Sequence, residues 1–400
     1  MTDLLAGVQV LDVTTVLAGP FAGYQLSLMG AEVVKVEVPG TGDLAREMGG
    51  EIELAKVSMG ASFLAQNAGK RSITVNLKTD EGREVFTRLV READVLLENM
   101  RPGVLARLGF SWEHLRELNP RLVYCAISGF GQTGPLAQRP AYDQIVQGLS
   151  GICDVTGWPS DEPLRVGFPV CDTLGGFGAA MAISAALVRR EREGVGAFLD
   201  VSMLEIALTA MGWVTSEQLI SHQTAARHGN DNAASSPSGT FHTGDGLLNI
   251  AANSQAQFEA ICGACERVDL LDDHRFLTRD LRKRYRRELT VELESALRSR
   301  SALEWEKILT DADVPVGRVL SLQEALSQDQ VVARELVHEL ALDLPGRTSV
   351  AVLGGGVHVD GEALAPRFAP PTLGQHTEEI LAQLGYDERD VARLREAGAL

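Results

Sequence analysis

One carboxylate stands out by its surroundings. Residues 165–183 read Arg-Val-Gly-Phe-Pro-Val-Cys-Asp-Thr-Leu-Gly-Gly-Phe-Gly-Ala-Ala-Met-Ala-Ile, which puts Asp172 between an extended apolar run and a glycine-rich, apolar helical segment. A helix beginning at 175–179 would aim unpaired N–H groups and the positive end of its dipole back at Asp172, favouring the ionised carboxylate and any oxyanion formed beside it. An ionised, partly desolvated carboxylate can be a nucleophile, and the N–H groups that follow Asp172 are the expected oxyanion donors. The same residue also reads as a simple N-cap, the commoner fate of an Asp before a helix. The rest of the chain has to decide between the two.

Other chemistries find less support. The turn Thr14-Thr15-Val16-Leu17-Ala18-Gly19-Pro20 is followed by Glu37 at about the spacing of a ribose-binding acid. G-x-G-x-x-G is absent there, however, and Pro20 falls where the backbone would approach a pyrophosphate. Gly176-Phe177-Gly178 is only a fragment of that fingerprint, so neither nicotinamide nor flavin is expected. No P-loop, H-E-x-x-H or G-x-S-x-G occurs, and the eight histidines lack ligand spacing. Cys262 and Cys265 form a Cys-x-x-Cys without a second ligand pair, inside a segment (257–268) that reads as an ordinary helix, so no metal is expected. Five scattered cysteines suit reduced thiols rather than a disulfide framework.

With 400 residues, 45% of them apolar and 23% charged, the chain has the composition of a globular protein of two or three domains. No basic and apolar leader pattern opens it, and the expectation is a soluble, cytoplasmic protein. A net charge of −17 argues against binding nucleic acid or an anionic membrane through the overall field. Basic groups are concentrated locally: residues 54–79 carry Lys56, Lys70, Arg71 and Lys78 and no acid. That window reads either as a solvated face or as a stripe for a small anionic ligand.

The elements that would position these groups follow from periodicity. Residues 8–13 read as a strand, 18–29 as a helix and 32–38 as a second strand. Strand 72–77, an amphipathic helix over 80–92 capped by Thr79, and strands 95–98 and 122–128 continue the alternation, which implies a mostly parallel sheet covered on both faces. Helices over 179–190 and 201–212 are apolar around much of their circumference. The Gly-, Ser- and Asn-rich stretch 222–239 is the clearest break, after which 239–252 reads as a hairpin turning at Gly244-Asp245-Gly246. Residues 270–309 then read as helical.

Ala18-Gly19-Pro20, Gly30-Ala31-Glu32 with Val33 to Glu37, Gly40-x-Gly42-Asp43, Lys70-Arg71-Ser72-Ile73 and Ala93-Asp94 through Asn99 with Arg101-Pro102-Gly103 form an ordered series. Leu118-Asn119-Pro120, Tyr142-Asp143, the Asp172 segment and Pro371-x-x-Gly374-x-His376-Thr377-x-Glu379-Ile380-Leu381 extend it. Together they resemble the class III (CaiB/BaiF-type) coenzyme A transferases from about residue 5 to residue 387.

The resemblance implies an α/β chain with a Rossmann-like large domain holding a parallel sheet (1–221, completed by 331–400). It also implies a smaller α+β domain (239–310) reached through linkers at 222–238 and 311–330, and an interlocked homodimer. It implies Asp172 as nucleophile, and coenzyme A contacts at Leu17, Ala18, Val75, Lys78, Asn99, Met100, Arg107 and Leu108, with Tyr142 positioning substrate carboxylates. Coenzyme A is then a substrate, and the base-rich window becomes a plausible stripe for its phosphates. Succinyl-CoA as donor with a C4 or C5 dicarboxylic acceptor is the expected chemistry, through an aspartyl-CoA thioester. Val38 stands where formyl-CoA:oxalate transferases use an arginine, and their glycine run is missing after Gly239, which points to an acceptor larger than oxalate. An α-methylacyl-CoA racemase is the alternative on the same fold, but its histidine is missing around Ala141, Tyr142 and Asp143. A noncatalytic coenzyme A-binding protein would use Asp172 only as a cap.

Overall fold

Six short runs rich in Val, Leu and Ile pair into one sheet. They are β1 (Gln9–Asp12), β2 (Glu32–Glu37), β3 (Lys70–Thr74), β4 (Val95–Glu98), β5 (Val123–Ser128) and β6 (Ala197–Ser202), ordered β3-β2-β1-β4-β5-β6. Every neighbouring pair is parallel. Such a sheet must be covered on both faces, and alternate residues serve the two sides. Val10, Val33, Leu97, Cys125 and Ile127 face one core; Leu11, Val36, Ile73, Leu96 and Ala126 face the other. The computed structural model that shows this describes residues 3–400. It divides into one unit made by the chain up to Cys153 with Arg165–Gln223 and Asp329–Leu400, and a second made by Asp154–Leu164 and Thr224–Gln328.

Around the sheet run α1 (Ala18–Leu28), α2 (Asp80–Glu92), α3 (Asp143–Leu149), α4 (Val170–Glu193), α5 (Met203–Ala210) and α6 (Trp213–Ser221). Thr79 caps α2 by accepting the Gly82 N–H, and Val85, Phe86, Leu89 and Val90 form its buried stripe, as the sequence pattern predicts. Two expectations need correction. Helix α4 starts at Val170, not at 175–179, because Pro169 fixes a φ of −74° at its start and a side chain from α3 supplies the cap. Strand β6 occupies a stretch whose periodicity suggests only the two flanking helices. It is an edge strand with Phe198 and Asp200 exposed, so its apolar alternation is diluted.

Helix α4 is drawn close to its neighbours by glycines. A Cβ at Gly176 would lie 2.7 Å from the Ala18 carbonyl oxygen at the start of α1, and one at Gly178 would lie 2.9 Å from Ile206 on α5. Residues 337–353 add an antiparallel hairpin that packs with Tyr24, Leu54, Met59 and Leu64.

The second unit is built separately. Ser238–His242, Leu247–Ala251 and Val316–Arg318 form an antiparallel sheet packed with helices Gln255–Ala264, Arg286–Leu297 and Ala302–Asp311 around Phe258, Leu289 and Trp305. The hairpin turns at 243–246, where the sequence puts it. Cys262 and Cys265 are free and buried in this core, and burial pushes their thiols up to about 12 and 11. Residues 232–238, linker-like in composition, lie against the unit: Arg279, Arg282 and Arg286 donate to the carbonyls of Asn232, Ala234, Ser235, Ser236 and Ser238.

Beneath α1 lies a buried cluster of three acids and three bases. Lys70 Nζ bonds Asp12 at 2.9 Å and the Pro20 carbonyl at 2.8 Å. Lys35 Nζ pairs with Asp43 at 2.9 Å and donates to the Thr14 carbonyl at 2.8 Å. Arg46 grips Glu37 with two bonds of 2.7 Å and stacks on Phe63. Burial disfavours each charge, yet Lys70 and Lys35 hold the Asp12 carboxyl below its usual range, and Asp12, Asp43 and Glu37 hold Lys35 above its own. Burial brings Lys70 down to about 8. Most of the base-rich window is committed within the protein: Lys70 is internal, Lys56 pairs with Glu53, and Arg71 pairs with Glu379. Only Lys78 of the four is exposed with no ion pair among the described residues.

Removing one partner leaves an uncompensated buried charge, so Lys70→Met is expected to cost about 3–5 kcal/mol in urea unfolding. The double variant Lys70→Met, Asp12→Asn should recover much of that loss; equal losses in the single and double variants would contradict an ion-pair role.

Candidate active site

In a parallel α/β sheet the strand order reverses at one crevice, and ligands bind beyond the carboxyl ends of the strands there. Here the reversal lies between β1 and β4. The turns leaving these strands are tied together: Thr15 N–H donates to Asn99 Oδ1 at 2.9 Å, and Asn99 Nδ2 returns a bond to the Thr15 carbonyl at 2.8 Å. Val16 sits at φ +68°, a rare conformation for a β-branched residue. Its N–H is held by Asp43 Oδ1 at 2.9 Å, so the buried ion cluster fixes the strained turn. Leu17 then occupies the N-cap of α1 without any side-chain cap, and the N–H groups of Leu17, Ala18 and Gly19 find no acceptor among the described residues. This helix start is open to an anion.

The sequence-named residues gather unevenly at this edge. Leu17 and Ala18 bring backbone, Ala18 having a buried side chain. Asn99 and Met100 follow β4, where burial pushes the Glu98 carboxyl up to about 7 while it accepts the Met100 N–H at 2.6 Å and the Tyr124 hydroxyl at 3.2 Å. Arg107 is exposed and Leu108 half-buried on the following turn, and Lys78 follows β3. Val75, by contrast, is buried in the core with its N–H spent on the Glu37 carbonyl, so its side chain offers no ligand surface. Arg101, quoted in the motif series but not singled out as a contact, is exposed on the same turn. Like Lys78 and Arg107, it has no ion pair among the described residues.

Asp172 lies in the first turn of α4, one turn before the glycine that abuts the start of α1. It is not the N-cap. The capping carboxylate is Asp143 on α3, whose Oδ1 accepts the Cys171 N–H at 2.8 Å and the Asp172 N–H at 3.3 Å. The Thr173 N–H bonds the Pro169 carbonyl at 3.0 Å, and later N–H groups enter the helix ladder, so donors following Asp172 are not free to hold an oxyanion. The open donors are those of α1. Burial, then the Asp143 charge, push the Asp172 carboxyl up to about 7. A raised carboxylate beside an open helix start is suited to attack on an acyl group. Tyr142 precedes α3 and is 70% exposed, clear of the capping bonds made by Asp143. Nothing in the sequence marks Asp143 as the cap, because its partner lies 29 residues away.

A family model described as CoA-transferase family III matches residues 5–377. A succinate–glutarate CoA-transferase of Agrobacterium fabrum is 37% identical, covering 97% of this chain and 99% of its own. An acetyl-CoA:oxalate CoA-transferase of Acetobacter aceti is 39% identical over 91% of this chain and 96% of its own. The crystal structure of a CAIB/BAIF family protein from Brucella suis superposes with a TM-score of 0.86 at 33% identity, covering 96% of this chain and all of that one.

The raised pKa of Asp172 makes its protonation a contribution to stability that is full below about 4. That contribution is lost as pH rises through about 7. Asp172→Asn should therefore melt a few degrees above the wild type at pH 8, with the gap closing toward pH 5. Thermal melts at the two pH values test this; a gap that is independent of pH would contradict it.

Proposed function

The chain belongs to CoA-transferase family III, and we propose that Asp172 is the nucleophile through which it moves coenzyme A from succinyl-CoA to a C4 or C5 dicarboxylate. The observation that carries the reading is a carboxyl raised to about 7 at the start of α4, next to the uncapped start of α1 at the strand-order reversal.

The steps balance without metal, redox partner or net proton. Asp172 attacks the thioester carbonyl, the C–S bond breaks, and a mixed anhydride and CoA thiolate result. The thiolate attacks the aspartyl carbonyl, the donor acid leaves as carboxylate, and an aspartyl-CoA thioester remains. The acceptor carboxylate attacks that carbonyl and expels the thiolate, which takes the acceptor acyl group and frees Asp172. The reaction begins and ends with one thioester and one carboxylate, so the protein's task is to hold the reactants and keep water from the anhydride. The N–H groups of Leu17 and Ala18 serve the developing oxyanion, and removing such a donor typically costs on the order of 100-fold in turnover. Coenzyme A lies along Asn99, Met100 and Leu108, with Lys78, Arg101 and Arg107 toward its phosphates. Tyr142 orients substrate carboxylates.

The glutarate-linked relative supports a dicarboxylic acceptor, and exposed Val38 in place of an arginine favours one longer than oxalate. The oxalate-linked relative makes a two-carbon diacid the necessary control. No histidine flanks Asp143, whose carboxylate is already committed to the α4 cap, and this weighs against a racemase.

We also propose a homodimer, interlocked as in the family. Helix α6 buries none of its residues, and Trp213, Leu219 and Ile220 are 79%, 70% and 80% exposed. Apolar exposure on this scale is what a subunit interface covers.

Mixing with succinyl-CoA should add a coenzyme A-sized mass to the wild type but not to Asp172→Ala. Glutarate or another C4–C5 diacid should then discharge the adduct faster than oxalate does. No adduct with any acyl-CoA would return the protein to a noncatalytic coenzyme A binder. Light scattering should give the wild type twice the mass of one chain; a wild-type monomer would refute the dimer.

A further inference from the structure

We infer that Asp143 is a positioning residue that both caps the nucleophile's helix and disfavours the free nucleophile relative to its acylated forms, an inference resting on the Asp172 reading above. Asp143 is 7% exposed, and both of its carboxylate oxygens accept hydrogen bonds. Oδ1 takes the Cys171 and Asp172 N–H groups, and Oδ2 takes Gln147 Nε2 at 2.6 Å. Gln147 is anchored in turn, accepting the Val166 N–H at 2.8 Å and donating to the Phe168 carbonyl at 3.2 Å. One glutamine thus ties the chain leading into α4 to the residue that caps it.

The arrangement reverses the usual effect of a helix N-terminus. Unpaired N–H groups and the helix dipole normally stabilise an anion in the first turn. Here those donors are satisfied by a second carboxylate, so Asp172 keeps the burial penalty and gains a like charge while losing the compensation. No basic group among the described residues offsets this. The elements packed on the glycines that follow Asp172 are apolar at the contact: α1 meets Gly176 through Ala18, Phe21 and Ala22, and α5 meets Gly175 and Gly178 through Met203 and Ile206. The nearby thiols of Cys171 and Cys153 are neutral, raised by burial first. Asp143 is the charged group acting on Asp172 among the described residues.

The consequence is chemical. Repulsion acts only on the free aspartate anion. The anhydride and the thioester at Asp172 are neutral, so forming either one relieves it. Asp143 therefore makes Asp172 a more basic nucleophile and tilts the enzyme toward its covalent state.

Asp143→Asn keeps an oxygen for the N–H groups and removes the charge. Its acid limb for adduct formation should move down by about one pH unit, and above pH 8 the equilibrium ratio of adduct to free enzyme should fall about tenfold, the difference vanishing toward pH 5. Gln147→Leu keeps the charge and removes a donor that offsets it, so its limb should move up. Opposite shifts cannot come from general damage, and Gln147→Leu alone carries the test if Asp143→Asn fails to fold. Both variants are read by intact mass against pH with succinyl-CoA and no acceptor. An unchanged limb and ratio in folded Asp143→Asn, or both variants shifting the same way, would overturn the inference while leaving Asp172 as nucleophile. A wild type that forms no adduct would remove both.

Discussion

The site depends on a charge balance hidden under it. Asp12, Asp43 and Glu37 face Lys35, Lys70 and Arg46 with no access to water, each acid holding a base at 2.7–2.9 Å. Such a cluster is a poor source of net stability, since removing six charges from water costs nearly what their attraction returns. Its value is geometric. Asp12 and Lys35 grip Thr14, Asp43 grips Val16, and Lys70 grips the Pro20 carbonyl, so the passage from β1 into α1 is held from its buried side. A valine at positive φ persists only where its surroundings over-determine it.

Two helix starts meet at the carboxyl edge of the sheet and are treated oppositely. The start of α1 has no cap and keeps its donors open, while the start of α4 is closed by Asp143. The first is open to an anion, and at the second burial and a neighbouring carboxylate raise the pKa of Asp172. That division suits a reaction in which charge leaves one carboxylate and gathers on a tetrahedral oxygen beside it. The glycines of α4 bring the two ends together: with any side chain at Gly176, α4 could not lie against the Ala18 carbonyl.

Much of this was legible in the sequence, for physical reasons. Strands β1, β4 and β5 are largely buried and apolar-rich, β2 shows through its alternation, and the Thr79 cap with its amphipathic helix is a local pattern. Asp172 was marked by its own neighbourhood, and the turns after β1 and β4 by motif order. What stayed hidden was long-range pairing. Lys70 reads as a surface base until Asp12 appears 58 residues away, and most of the window around it is then committed within the protein. The early start of α4 and the cap from Asp143 likewise require a contact that no local window contains. Edge strand β6 was lost because Phe198 and Asp200 face outward.

The central claim is that the side chain of residue 172 carries coenzyme A during turnover. Borohydride reduction of the protein trapped with succinyl-CoA, followed by peptide sequencing in a mass spectrometer, reads that directly. An aspartyl thioester is reduced to the alcohol, so the account predicts homoserine at position 172 and aspartate at position 143. Homoserine at any other position, or intact aspartate at 172 in protein that turns over its substrates, would contradict it.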